Sequence, residues 1–405
     1  MKTILRVLSC AAALACTAAF AQSGPPIPIG ASLDLSGPAA EVGKDALVGA
    51  QLAIEDLNKR GGLLGRPLVL SYQDNGTNPQ RAVSQASALA RDGAVMLVAP
   101  QSSGGTLAVS KSVSGKLKIP LCSANSGSSD VTMKDFQPYV ISTAASNYMF
   151  MRSLALQLAK QPYRRYAVLA PDSAGPRGAA EQFVQFLKAF KPDVQIVAEE
   201  FPKFGATDFT SSINKLLAAK PDYVWSLLYG SDLLTFSKQA AAVDFFRRID
   251  NRFTAMYDGN TLRALGENAA VGTDGYQPEP FNAIAQSSAD GHAFVAAFKA
   301  RHGRYPSDWL LQSYDCVMVW AQAVKDAKTT DADAVMRAIG THTFKSLRGD
   351  LHFAKYDHQA DVPTYFGKIA RSDDYDQPVM EVRDVVPGRL SRPTEDVVRK
   401  SRAAD

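Results

Sequence analysis

At 405 residues, 46% of them hydrophobic, the chain is long enough for more than one domain and a sizeable core. Its 44 basic and 40 acidic residues include no dense Lys/Arg run, which excludes a nucleic-acid stripe, and no apolar span of membrane length follows the N-terminus. The five histidines, His292, His302, His342, His352 and His358, are scattered late in the chain, so surface roles are expected for them and no metal cluster.

The start reads as a secretory leader over residues 1–21. Lys2 and Arg6 form its basic end, Val7 to Phe20 its apolar core, and Ala19 and Ala21 frame a small-x-small cleavage site. Lipidation at Cys16 is the weaker reading, because the residue three positions before it is only Ala13. Cleavage removes Cys10 and Cys16 and leaves a nearly neutral chain with Cys122 and Cys316. An oxidising compartment would let these two pair. They lie far apart in sequence, each inside an apolar element, so two separate buried thiols are expected.

Ile27 to Leu33 reads as a strand, and Gly43 to Arg60 as a helix with Ala46, Ala50, Ala53, Ile54 and Leu57 at helical spacing. Gly61 and Gly62 stop that helix, and a strand follows from Leu68 to Tyr72. Asn78 caps the next helix, with Pro79 at its first position. Then come a strand from Val95 to Val98, a small-residue turn from Gln101 to Thr106, an amphipathic helix, a short strand from Ile119 to Leu121, and a second turn from Ser123 to Gly127. Both strands end in hydroxyls and free backbone N–H groups where a helix begins, which suits a small anion such as a carboxylate. Ordinary caps and turns are the plain alternative.

After Tyr139 to Ile141 the rhythm restarts. Strands are expected at 166–170, 194–198, 222–228 and 253–257, alternating with helices, and later helices at 289–301, 310–327 and 331–339. Strands at 350–353 and 365–370 precede a charged tail, 389–405, expected to fray. The fold class is therefore α/β, with two lobes of parallel sheet and no long linker, which places a cleft between them.

These segments resemble the periplasmic solute-binding proteins of ABC transporters, of the Leu/Ile/Val-binding type. The likeness is carried by Ile29 to Pro38, Gly43, the run from Gly49 to Asn58, Gly61 to Leu68, Asp74 with Asn78 and Pro79, and the two small-residue turns. It implies two Rossmann-like lobes joined by three crossings. Lobe 1 would comprise residues 22–141 and 276–349, and lobe 2 residues 142–275 and 350–388. It also implies a periplasmic monomer that takes a small amino acid or carboxylate, uses no cofactor and docks membrane permease subunits. Carried over by position, the ligand carboxylate would meet Ser103, Ala124, Asn125 and Ser126. The ammonium would meet Asp258, and Tyr229 would line lobe 2.

Two departures bear on specificity. Asp172 to Arg177 stands where relatives have a tyrosine after the first lobe 2 strand, and Val42 replaces an aromatic near Gly43. Arg177, if turned inward, would favour a second carboxylate on the ligand; Trp309 would either line the cleft or pack in the core. Taken without the resemblance, Asp258 reads equally as a turn residue capping the next helix, and Tyr229 as a sheet-end aromatic. No G-x-S-x-G, H-E-x-x-H or C-x-x-C motif occurs. The stretch Gly37 to Asp45 misses a P-loop by its glycine spacing and by an Asp where a hydroxyl is needed. A binder is expected, with branched-chain amino acids first and aromatic or other organic acids as the alternative. A ligand sensor and, less so, a secreted hydrolase are the rivals from other classes.

Overall fold

The computed structural model describes residues 24–403, so the expected leader and Cys16 lie outside the described residues. The first sheet has five parallel strands: β1 (Ile27–Leu33), β2 (Leu68–Asp74), β3 (Met96–Val98), β4 (Leu121–Ser123) and β5 (Val140–Ser142), in the order β2-β1-β3-β4-β5. The inner strands are nearly continuous apolar runs because helices cover both faces.

The second sheet has seven strands. β6 (Arg165–Leu169), β7 (Gln195–Glu200), β8 (Tyr223–Ser226), β9 (Phe253–Met256) and β10 (Asp274–Gln277) run parallel. After a small hairpin of β11 (Thr343–Ser346) and β12 (Gly349–His352) on lobe 1, the antiparallel pair β13 (Thr364–Ala370) and β14 (Val379–Val386) completes the second sheet beside β10. The chain crosses between lobes three times: after β5, after β10 and between β12 and β13. The crossing segments are tied together, since Ser142 N donates to His358 O and Gln359 Nε2 donates to Ala144 O at 2.7 Å.

Lobe 1 packs Ile29, Val98 and Ile141 against Val317 and Trp320 of the Asp308–Ala327 helix. Two glycines allow the first helix, Ala40–Lys59, to approach so closely. A Cβ on Gly43 would collide with the Asp34 carbonyl, and one on Gly49 with the Leu310 carbonyl. Lobe 2 has one core on each sheet face, built on Phe236, Phe245 and Phe253, and on Phe183, Trp225 and Tyr276.

Three expectations are corrected, and two strands appear where none was expected. Cys122 and Cys316 are not separate thiols but a disulfide: β4 and the Asp308–Ala327 helix pack together and bring their Cα atoms to 6.0 Å. The tail does not fray through its described part. It forms the Glu395–Ala403 helix, with Val398 buried beside Met133 and Tyr148 and Arg402 Nη2 donating to Tyr356 O at 2.7 Å. His358 is buried, with Nδ1 3.2 Å from Val140 O and its ring edge-on to Phe136, because it lies in the third crossing; burial lowers its pKa. Finally, β11 and β14 were not anticipated, since charged and apolar residues mix along them. No helix among the described residues is long and apolar enough to cross a membrane.

Candidate functional site

Between the lobes, at the C-terminal ends of strands from both sheets, lies a cavity of about 330 Å³. A larger concavity of about 770 Å³ on the outer side of lobe 1, beside the Ala332–Ile339 helix, is an open groove and touches no strand end of lobe 2. The interlobe cavity is the candidate site.

Its lobe 1 wall is polar. Buried Asp34 accepts from the N–H groups of Gln101 and Ser102 at 2.7 Å each, which fixes the turn after β3. In return Asp34 N donates to Gln101 Oε1 at 3.0 Å, so the Gln101 amide has one orientation. Ser103 opens the next helix and lines the cavity, and its hydroxyl lies 3.3 Å from that of Ser126. The two tandem turns therefore do converge. Asn125 lines the cavity too, but its polar atoms are engaged. Nδ2 donates to Trp309 O at 3.0 Å and Gln312 Oε1 at 3.1 Å, while Oδ1 accepts from the Ser313 hydroxyl at 3.0 Å. Ala124 and Ser126 are buried behind the lining.

The opposite wall is apolar, formed by Phe150, Met151, Leu227, Tyr229, Met256 and Tyr276. Tyr229 remains 42% exposed at the rim, its ring 5.9 Å from that of exposed Phe204. Trp309 and Val42, with Gln101 and Gln312, also line it from lobe 1, and Asn147 adds a polar group beside the apolar wall. No Asp, Glu, Lys or Arg is among the lining residues.

Arg177 and Asp258 are not in the lining. Arg177 pairs with Asp172 at 2.6 Å on the exposed surface and stacks over Phe201; the Asp172 hydrogen bond raises its pKa. Asp258 caps the Gly259–Leu265 helix. It accepts from Asn260 N at 3.0 Å, Thr261 N at 3.1 Å and the Thr261 hydroxyl at 2.6 Å. Burial pushes its carboxyl up, and these hydrogen bonds oppose the shift. Asp258→Ala is therefore expected to lower stability by about 1–2 kcal/mol through loss of the cap, measured by denaturant unfolding.

Sequence reasoning missed Gln101, Asn147, Phe150, Met256, Tyr276 and Gln312. The strand-end positions of Gln101, Met256 and Tyr276 were a usable sign. Nothing local marks Gln312 among the other residues of its helix.

Beside the cavity the lobes are joined by buried polar contacts. Asn260 Nδ2 donates to Asp45 Oδ2 at 2.8 Å, and Gly259 N to Asp308 Oδ2 at 3.1 Å. At the crossings, Arg348 Nε lies 3.1 Å from Glu279 Oε2 and 3.3 Å from Asp315 Oδ2, and Nη2 donates to Thr143 O at 3.0 Å.

A family model described as periplasmic binding protein matches residues 26–374. The chain is 23% identical over 360 residues to the leucine-, isoleucine-, valine-, threonine-, and alanine-binding protein of Pseudomonas aeruginosa, covering 88% of this chain and 93% of that one. Among solved structures, it is similar to a solute binding protein of an ABC transporter from Rhodopseudomonas palustris BisB5 in complex with 3,4-dihydroxy benzoic acid. The TM-score there is 0.78 at 20% identity, covering 90% of this chain and 98% of that one. It is also similar to the branched-chain amino acid transporter substrate binding protein LivJ from Streptococcus pneumoniae in complex with isoleucine. That TM-score is 0.75 at 22% identity, covering 89% and 99%.

Proposed function

The chain belongs to the periplasmic binding protein family, and from that premise we propose that it captures a small apolar or aromatic carboxylate for an ABC importer. The observation that carries this reading is the cavity lining, which has neutral polar groups on one wall, an apolar surface on the other and no charged side chain. An ammonium moved into such a cavity without an acid would lose its hydration uncompensated. A carboxylate would instead meet the Ser103 hydroxyl and the start of a helix, both suited to an anion. Phe150, Met256 and Tyr276 would hold a ring or branched alkyl group.

Binding acts as a population shift: a ligand touching both lobes favours the closed state, in which Tyr229 and Phe204 would lose exposure. The closed form then docks permease subunits outside the cytoplasmic membrane, where the expected leader would deliver the chain. No step of chemistry on the ligand is required.

A second reading, an amino acid ligand, is favoured by the Pseudomonas aeruginosa protein's name. It requires Asp258 to leave its helix cap and reach the cavity. Thermal unfolding of protein stripped by unfolding and refolding separates the two, using leucine, 4-methylpentanoate (leucine without its ammonium), benzoate and 3,4-dihydroxybenzoate. A ligand at one hundred times its Kd adds about 2.7 kcal/mol. The acids are expected to raise the melting temperature and leucine is not. A shift with leucine alone, abolished in Asp258→Ala, would replace the first reading with the second.

A further inference from the structure

Gln312 is only 1% exposed, yet it lines the cavity. Its orientation follows from a chain of forced hydrogen bonds. The Trp309 carbonyl can only accept, so the group of Asn125 facing it is the amide nitrogen. The Ser313 hydroxyl occupies Asn125 Oδ1. The second hydrogen of Asn125 Nδ2 then points at Gln312, which must answer with Oε1, at 3.1 Å. Gln312 Nε2 is left as the free end, and no hydrogen bond to it is found among the described residues. Gln312 Nε2 is not enclosed by protein and opens onto the cavity, so a ligand seated there can accept from it.

We propose that Gln312 is a specificity-determining residue, whose Nε2 donates to an oxygen acceptor on the ligand. This rests on the carboxylate reading above and sharpens it. The cavity then offers the Ser103 hydroxyl and an oriented amide donor to an oxygen-bearing ligand, and offers nothing anionic to an amine. The Asn125 clamp is a positioning device. Asn125 has no N–H donor left for the ligand; it fixes which end of Gln312 faces the cavity.

Two variants test this, with affinities for benzoate, 3,4-dihydroxybenzoate and 4-methylpentanoate measured by calorimetry and leucine as the ammonium-bearing probe. Gln312→Glu keeps the acceptor for Asn125 and turns the cavity-facing end from donor to anion. It is expected to weaken the acids that wild type binds by at least about tenfold at neutral pH. Over a pH range kept above the ligands' own carboxyl titration, protonation of the introduced carboxyl, raised by its enclosed setting, makes it a donor again, so the variant's affinity recovers while wild type stays flat. A glutamine whose end faced away from the ligand would not produce that pH profile. Gln312→Met keeps length without either amide group and is expected to weaken the same acids by about tenfold with no pH dependence. Acid affinities within about twofold of wild type in both variants would overturn the inference and leave the carboxylate reading standing. Wild type that binds leucine and none of the acids would overturn both.

Discussion

Arg348→Met is expected to destabilise the protein by about 3–5 kcal/mol, because it leaves buried carboxylates without their cation. The Arg348 side chain is fully buried, and so is that of Glu279. Glu279 Oε2 lies 3.1 Å from Arg348 Nε but accepts no well-aligned hydrogen bond, so their attraction is between charges and not a directed bond. Asp315 has the better geometry, since its Oδ1 also accepts from Leu347 N at 3.0 Å. Arg348 further donates to Thr143 O, so one side chain ties the first crossing, the second crossing and the lobe 1 hairpin turn.

The loss should depend on pH. Burial pushes the Glu279 carboxyl well above its ordinary 4.5; Arg348 pulls it down, and Asp315 and Asp308 push it further up. Removing Arg348 raises it again. Below the wild-type folded value both proteins keep this proton, and this share of the deficit is absent; as pH rises past that value, it accrues. Urea unfolding followed upward in pH from about 5 should therefore show the deficit growing with pH. Adding Asp315→Asn to Arg348→Met should recover part of the stability, since one unpaired buried charge is then gone. Equal stability of wild type and Arg348→Met would mean that water reaches the cluster and solvates the acids.

The second large effect belongs to the disulfide. Cys122 and Cys316 close a separation of 194 residues. Chain entropy assigns such a cross-link about 5 kcal/mol, and native bridges commonly deliver about 2–5 kcal/mol. Alanine at both positions is expected to lower the urea midpoint accordingly. Wild type in reductant should keep its stability longer than an exposed bridge would, because both residues are buried. The effect should reach the cavity. Asn125 lies three residues after Cys122, and Gln312 lies one turn before Cys316, so the bridge and the Asn125 hydrogen bonds hold the same two elements together. Affinity for the acids is expected to fall along with stability in the double variant. A large fall in stability with unchanged affinity would show that the hydrogen bonds alone hold the lining.

Much of this was legible because it is local. Apolar runs such as Ile27–Leu33, the stop at Gly61 and Gly62, and the Asn78–Pro79 helix start depend on neighbours a few residues away. The convergence of Ser103 and Ser126 was likewise accessible, because both follow neighbouring parallel strands and strand ends in such sheets share one edge. The final strand pair was harder: β14 alternates charged and apolar residues at a sheet edge, where one side needs no burial.

Periodicity and turn chemistry, which act within short windows, gave the alternation of strand and helix and its restart as a second βα lobe; the return of the chain to lobe 1 after β10 was implied only by the family resemblance. The folded chain decided the pairing of Cys122 with Cys316, the choice between cap and ligand partner for Asp258, the surface pairing of Arg177 and the direction of the Gln312 amide. The direction of the Gln312 amide shows the reason most clearly. It depends on Asn125, which the folded chain brings from 187 residues away, and on a carbonyl that can only accept.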